Sequence, residues 1–173
     1  MASTDYLTAM AQQVTSVCVV TTSLEGKRYG LTATAFASVC VEPPRLLVCV
    51  SKTGSSHDVI VKAGYFCINL LGGAQAEIAK AFAGLLGKNL DKFAHGRWYE
   101  AATGAPILRG AAATFECTLV QTIDQFSHSI FIGEVVGVTH HAQAPLLYGA
   151  RKFRNLRDDT SVPVVKTSGA LDI

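Results

Sequence analysis

The segment 30–50, GLTATAFASVCVEPPRLLVCV, constrains the fold more than any other part of the chain. Its four valines, two threonines and phenylalanine suit a pleated strand better than a helix. Leu31, Ala33, Ala35, Ala37, Val39 and Val41 alternate with Thr32, Thr34, Phe36, Ser38 and Cys40. That period of two makes a ribbon with one aliphatic side and one small, hydroxylated side. Pro43 and Pro44 cannot donate to a ladder, so they mark a corner between two strands, 29–41 and 45–51.

Similar runs recur at 17–23, 65–71, 111–122, 129–139 and 145–149, with EGK (25–27) turning the first back on the ribbon. Helical spacing is confined to 4–15, where Leu7, Met10, Ala11 and Val14 share a face, and to 55–63 and 74–83, closed by Gly64 and Gly84. Residues 85–105 read as irregular and hold the single tryptophan, Trp98. Many short strands without a β-α-β rhythm predict a mainly β protein with helical insertions, an antiparallel barrel. One domain over residues 1–173 accounts for the length, with 155–173 as a polar tail. A dinucleotide-binding parallel sheet is disfavoured: G-x-G-x-x-G is absent, and GLLGKN (84–89) only mimics the end of a phosphate loop.

Apolar residues make up 49% of the chain and charged ones 16%, an excess that suggests an oligomer hiding an apolar face. With a net charge of +2 and no basic run before residue 151, nucleic acid is not an expected partner. No run reaches the ~18 apolar residues of a membrane helix. The start, MASTDYLTAM, lacks the charge and apolar core of a secretory peptide, so the expected location is cytoplasmic. Cys18, Cys40, Cys49, Cys67 and Cys117 all sit in strand-like runs without C-x-x-C spacing. They read as small buried hydrophobes in a reducing compartment, with neither a zinc site nor a catalytic thiol expected.

Four segments could carry chemistry. The ribbon offers Thr32, Thr34 and Ser38 hydroxyls beside alanines that let a flat heterocycle approach; the same pattern serves a barrel strand facing a polar seam. SKTGSSHD (51–58) leaves a strand and enters a helix, so Lys52, Thr53, Ser55 and Ser56 could hold a phosphate or could simply cap that helix. In SHSIFIGEV (127–135), His128 stands at the mouth of an apolar strand, where it could contact a ligand or cap the strand edge. In PLLYGARKFR (145–154), Tyr148 and Arg151 could grip an anionic ring compound, or form a solvated face balanced by Asp158 and Asp159.

In this order, the motifs GLTATAFASV, EPPRLLVCV, FCINLL, FAG with DKF, GAPILRGAAATFEC, SHSIFIGEV and PLLY resemble the short-chain flavin reductases. These are the flavin reductase-like, FMN-binding split-barrel proteins that serve two-component flavin-dependent monooxygenases. The resemblance runs from Val17 to about Arg154. It implies a homodimeric antiparallel split β-barrel that uses NADH or NADPH to reduce FMN or FAD and releases the product to a partner oxygenase. It places Thr32, Ala33, Thr34, Ala35, Ser38 and Val39 along the isoalloxazine and its side chain. Lys52, Thr53, Ser55 and Ser56 would hold the phosphate, and Ala83, Lys88 and Phe93 would close over the flavin. His128, Tyr148 and Arg151 would meet the nicotinamide dinucleotide.

Hydride transfer between these two cofactors needs no protein nucleophile and no metal. The protein's task is to stack two rings and to bond the flavin edge on which charge gathers. Two other readings fit parts of the sequence. One is a flavin carrier with no nicotinamide site. The other is a barrel for a different anionic ring, such as pyridoxal phosphate, which the single lysine of the 51–58 loop disfavours.

Overall fold

A computed structural model describes residues 3–87 and 89–156. The chain starts with α1 (Ser3–Met10), then β1 (Thr15–Ser16), β2 (Cys18–Leu24), β3 (Lys27–Ala33), β4 (Phe36–Val41) and β5 (Pro44–Ser51). Helix α2 (His57–Ala63), β6 (Tyr65–Leu70) and α3 (Ala76–Phe82) follow, then a 3-10 turn at Lys92–Ala94. The remaining strands are β7 (Trp98–Tyr99), β8 (Ile107–Leu108), β9 (Ala113–Gln125), β10 (His128–His140), β11 (Leu146–Gly149) and β12 (Lys152–Asn155).

Seven strands form one antiparallel sheet in the order β3-β2-β6-β9-β10-β5-β4. Strands β3 and β4 are therefore its two opposite edges, although only Thr34 and Ala35 separate them in the chain. A two-residue link between opposite edges requires the sheet to curl until they meet, which gives a split barrel. A second sheet, β1-β11-β12, lies beside it.

Strand β2 is apolar at consecutive positions because both its faces are covered. Cys18 and Val20 point into the barrel with Val48, Phe66, Ile68 and Phe131. Val17 and Val19 face outward, toward Leu71, Phe82, Leu108 and Leu146. Helix α3 can lie against β3 because residue 30 is glycine: a Cβ there would sit 2.6 Å from the Phe82 ring. Truncating a buried ring such as Phe66, which is fully enclosed, costs about 3–5 kcal/mol.

Several expectations need correction. The strand anticipated over 29–41 is two strands, since Thr34 and Ala35 leave one sheet edge and enter the other. All these residues tolerate extended backbone, so composition carries no sign of the break. Helix α1 stops at Met10, and its apolar stripe is not packed: Tyr6, Leu7 and Met10 are exposed. The hairpin of β9 and β10 is longer than the runs 111–122 and 129–139. Strand β12 falls in residues that read only as a basic cluster leading into the tail.

Candidate functional site

The seam of the barrel creates the site. The Cys49 amide donates to the Ala35 carbonyl at 2.9 Å, holding the edge link against β5. Two hollows open on either side of that bond and share Thr34, Ala35 and Cys49. One, of about 330 Å³, runs along Leu31–Ala35 to Ser51 and His128. The other, of about 470 Å³, runs along Thr34–Ala37 and Leu47 to the β11–β12 turn, with Tyr148 and Arg151 on its far wall. The floor between them carries only a hydroxyl, a methyl and a thiol.

The flanking groups are fixed by the ladders. His128 pairs with Ser51 across β10 and β5, and Ser127 Oγ lies 2.9 Å from its Nδ1. Tyr148 packs edge-on against Phe153 at 5.3 Å. Arg151 sits in the two-residue turn after it, where Ala150 (φ 50°) and Arg151 (φ 59°) both occupy left-handed backbone. On the ribbon, Thr32 Oγ1 donates to the Ala79 carbonyl of α3 at 2.7 Å, and Ala33 is buried in the barrel core.

The 52–56 loop is braced from the β9–β10 hairpin. The Lys52 amide donates to the Ser127 carbonyl at 2.9 Å, and Lys52 Nζ lies 3.3 Å from Asp124. Thr53 and Ser51 hydroxyls are 3.0 Å apart. Ser55 is exposed, whereas Ser56 is buried and makes no side-chain cap to α2. Helix α2 has only seven residues, so an anion at this loop would have to be met by the loop's hydroxyls and lysine.

Behind the loop lies a polar chain that the sequence reading did not single out. His57 is buried, with Nδ1 2.8 Å from Asp58 and Nε2 2.8 Å from Ser129 Oγ. Ser129 donates to Asp124 at 2.6 Å. Its hydrogen bond, followed by that from Lys52, holds the Asp124 carboxyl below its ordinary value. The order Asp58, His57, Ser129 has the form of a hydrolase triad, but Ser129 is fully buried and its proton is committed to Asp124. The chain braces the loop and presents no nucleophile.

The structure thus brings Thr32, Ala33, Thr34, Ala35 and His128 to one hollow, and Thr34, Ala35, Tyr148 and Arg151 to its neighbour. Ser55 and Phe93 meet in a third, between β3 and residues 90–93. Ser38 lies further along β4, in an apolar groove with Phe36, Val41, Leu46 and Phe115, and Val39 beside it is exposed. Ala83 ends α3 at the surface. Lys88 falls outside the described residues. Cys49 and Ser51 were not anticipated as lining groups; their alternation on β5 against the ribbon was the available signal.

Burial pushes the Cys18 and Cys117 thiols up to about 12 and raises Cys67 as well, so these three are packing groups. Among the described residues, no three His, Cys, Asp or Glu side chains gather as metal ligands. A shelf floored by small side chains, open on two sides and leading to a hydroxyl-rich loop with one lysine, fits a flat heterocycle bearing a phosphate.

The fold and site define an antiparallel split barrel with a shelf of small side chains along its seam. Residues 10–157 match the family described as flavin reductase like domain, and the chain belongs to that family. It is 35% identical over 153 residues to the FMN reductase (NADH) RutF of Pseudomonas syringae pv. syringae, covering 88% of this chain and 85% of that one. BorF, the flavin reductase component of a bacterial two-component tryptophan halogenase, superposes with a TM-score of 0.82 at 32% identity. That match covers 91% of this chain and 100% of BorF. The NADH:FAD oxidoreductase SgcE6 of Streptomyces globisporus, in complex with NAD and FAD fragments, gives 0.84 at 30% identity, covering 91% and 94%.

Proposed function

We propose that this protein is an NAD(P)H:flavin oxidoreductase that passes reduced flavin to a separate monooxygenase component. The observation that carries the reading is the shared floor of the two hollows. A single strip of small groups, Thr34, Ala35 and Cys49, lets two rings lie against one another with nothing bulky between them. Bound there, the two cofactors supply the hydride chemistry themselves. The protein orients them, with His128 at one end and Tyr148 and Arg151 at the other, while Thr53, Ser55 and Lys52 receive the phosphate. RutF is named an NADH-dependent FMN reductase and SgcE6 an NADH:FAD oxidoreductase, which supports the same chemistry here.

We further infer a homodimer. The apolar groove along β4 continues into exposed Val39, Val41, Val136 and Val138, a surface suited to a second copy. Phe36 and Ala37 border both this groove and the Tyr148 hollow, so that copy would stand close to the site. Ser38 and Val39 then belong to the rim between ring shelf and partner. Among the described residues no helix is long and apolar enough to cross a membrane. We infer a single domain, and a cytoplasmic setting from cysteines that are all free thiols.

Mixing purified protein with FMN or FAD and with NADH or NADPH, and following nicotinamide absorbance, tests the reading. Oxidation that scales with added flavin supports a reductase that treats flavin as a diffusing substrate. Tight flavin binding with no nicotinamide oxidation would leave a carrier instead.

A further inference from the structure

The polar chain behind the 52–56 loop fixes where its protons lie. Ser129 has one hydroxyl proton, and the 2.6 Å bond to Asp124 takes it, because a carboxylate only accepts. The 2.8 Å contact between Ser129 Oγ and His57 Nε2 must therefore draw its proton from the ring. On the ring's other side, Nδ1 lies 2.8 Å from the Asp58 carboxylate, again an acceptor alone. Both ring nitrogens donate at once, which only the imidazolium form can do. Beyond Asp124 stands Lys52, at 3.3 Å. Charges thus alternate along the chain: Asp58 negative, His57 positive, Asp124 negative, Lys52 positive.

Among the described residues, the elements packed around the ring add no competing charge. Strand β10 presents Ser129 and the Phe131 ring, 5.2 Å away. Strands β2 and β6 pack on α2 and carry no Asp, Glu, Lys, Arg or His. Burial keeps their Cys18 and Cys67 thiols protonated, and Tyr65 bonds Ser23. On β9, Glu116 is taken up by Thr103, and on α2 itself Lys62 is exposed. A neutral His57 has one proton for two acceptors. The Asp58 carboxylate favours keeping it on Nδ1, which turns Nε2 into an acceptor. The Ser129 proton must then swing from Asp124 to the ring, and Asp124 is left with Lys52 alone.

We propose that His57 is a positioning residue for the flavin phosphate, acting through Ser129 and Asp124 on Lys52. As imidazolium it lets Ser129 hold Asp124 and so loosens the grip of that carboxylate on the lysine. On losing its proton it returns Asp124 to Lys52 and withdraws the lysine from the ligand. The inference rests on the proposed phosphate role of the 52–56 loop and adds a control to it. Affinity for a phosphate-bearing flavin is fully present while the ring is charged and falls as pH rises through the ring's titration. A flavin without phosphate shows no such fall.

Nitrogen NMR of the isotope-labelled full chain reads the protons on the assigned His57 ring between about pH 5 and 9. Fluorescence quenching titrates FAD and riboflavin over the same range. FAD is the better probe because its phosphodiesters keep their charge throughout, unlike the monoester of FMN. FAD should bind about tenfold more weakly once the ring loses a proton, the loss of one charge-assisted contact. Riboflavin should stay within about twofold. D58N should move the ring titration and the fall in FAD affinity together to lower pH. S129A should leave the ring titrating and abolish the fall. A ring that never carries two protons in this range, or FAD affinity that ignores its titration, overturns the proposal. If S129A does not fold, D58N, changed at an exposed side chain, decides alone. FAD that binds no more tightly than riboflavin at any pH removes the phosphate reading of the loop, and the proposal with it. The NMR titration tells that outcome apart from a failure of the ring's own charge.

Discussion

The amide of Cys49 donates to the carbonyl of Ala35 at 2.9 Å, and this bond fixes the backbone where the barrel's two edges meet. Ala35 is exposed and lines both hollows, so a larger side chain there projects into the space proposed for the stacked rings. Ala35→Leu should raise the flavin dissociation constant at least about thirtyfold, ~2 kcal/mol of overpacking. Stability should stay within about 0.5 kcal/mol, as for a surface change. Fluorescence titration and thermal melting measure the two effects separately. Normal flavin reduction by Ala35→Leu would mean the ring lies elsewhere.

The thiols should divide by depth. Cys18, Cys67 and Cys117 are buried with raised pKa values, while Cys40 and Cys49 are partly exposed. An aromatic disulfide reagent at mildly alkaline pH should therefore label Cys49 in the native protein, with Cys40 of the β4 groove shielded by the second copy, and all five thiols after denaturation. Saturating flavin should protect Cys49, which peptide mapping of the labelled protein shows. Unchanged labelling of Cys49 in the presence of flavin counts against the shared floor.

Much of the barrel was legible because it depends on local periodicity. The VCVV run, the Pro43–Pro44 corner and the Gly64 cap each act within a few residues. The break at Thr34–Ala35 was not legible, because nothing in TATAF distinguishes a continuous strand from one that changes sheet edges. Thr32 illustrates the limit for the site. Its hydroxyl suits a ligand as well as the Ala79 carbonyl, and only the position of α3 decides that it bonds the latter. Arg28 reaches Phe93, and His57 reaches Ser129, through folding of distant segments, so neither pair leaves a spacing to read.

The brace behind the 52–56 loop predicts a pH dependence. Ser129 and Lys52 stabilise the Asp124 carboxylate, so its folded pKa is depressed below its value in the unfolded chain. A depressed carboxyl pKa contributes stability above the unfolded value and loses it as pH falls through the folded value. Asp124→Asn should therefore flatten the acid limb of the stability profile, measured as urea midpoints from neutral pH down to the carboxylate range. The same variant frees Lys52 for the ligand, so FMN should bind more tightly while riboflavin, without a phosphate, is unaffected. Equal changes for both flavins would assign Asp124 to the ring and not to the lysine.

The β11–β12 turn sets stability against binding. Ala150 and Arg151 both occupy left-handed backbone, where a side chain is disfavoured and glycine is not. A structural turn would gain from glycine, so Arg151→Gly should stabilise the fold by about 0.5–1 kcal/mol. Arg151 also lines the hollow opposite Ala35, where its guanidinium can meet the dinucleotide's phosphates. The variant should therefore melt higher yet show a KM for NADH raised about tenfold, the loss of one charge-assisted contact. Its kcat at saturating NADH should hold, because the proposed contact is to the remote part of the donor and not to the reacting ring. Steady-state kinetics beside a thermal melt reads both signs at once. A more stable protein with an unchanged KM would remove Arg151 from the nicotinamide site and leave the turn's strain without a function.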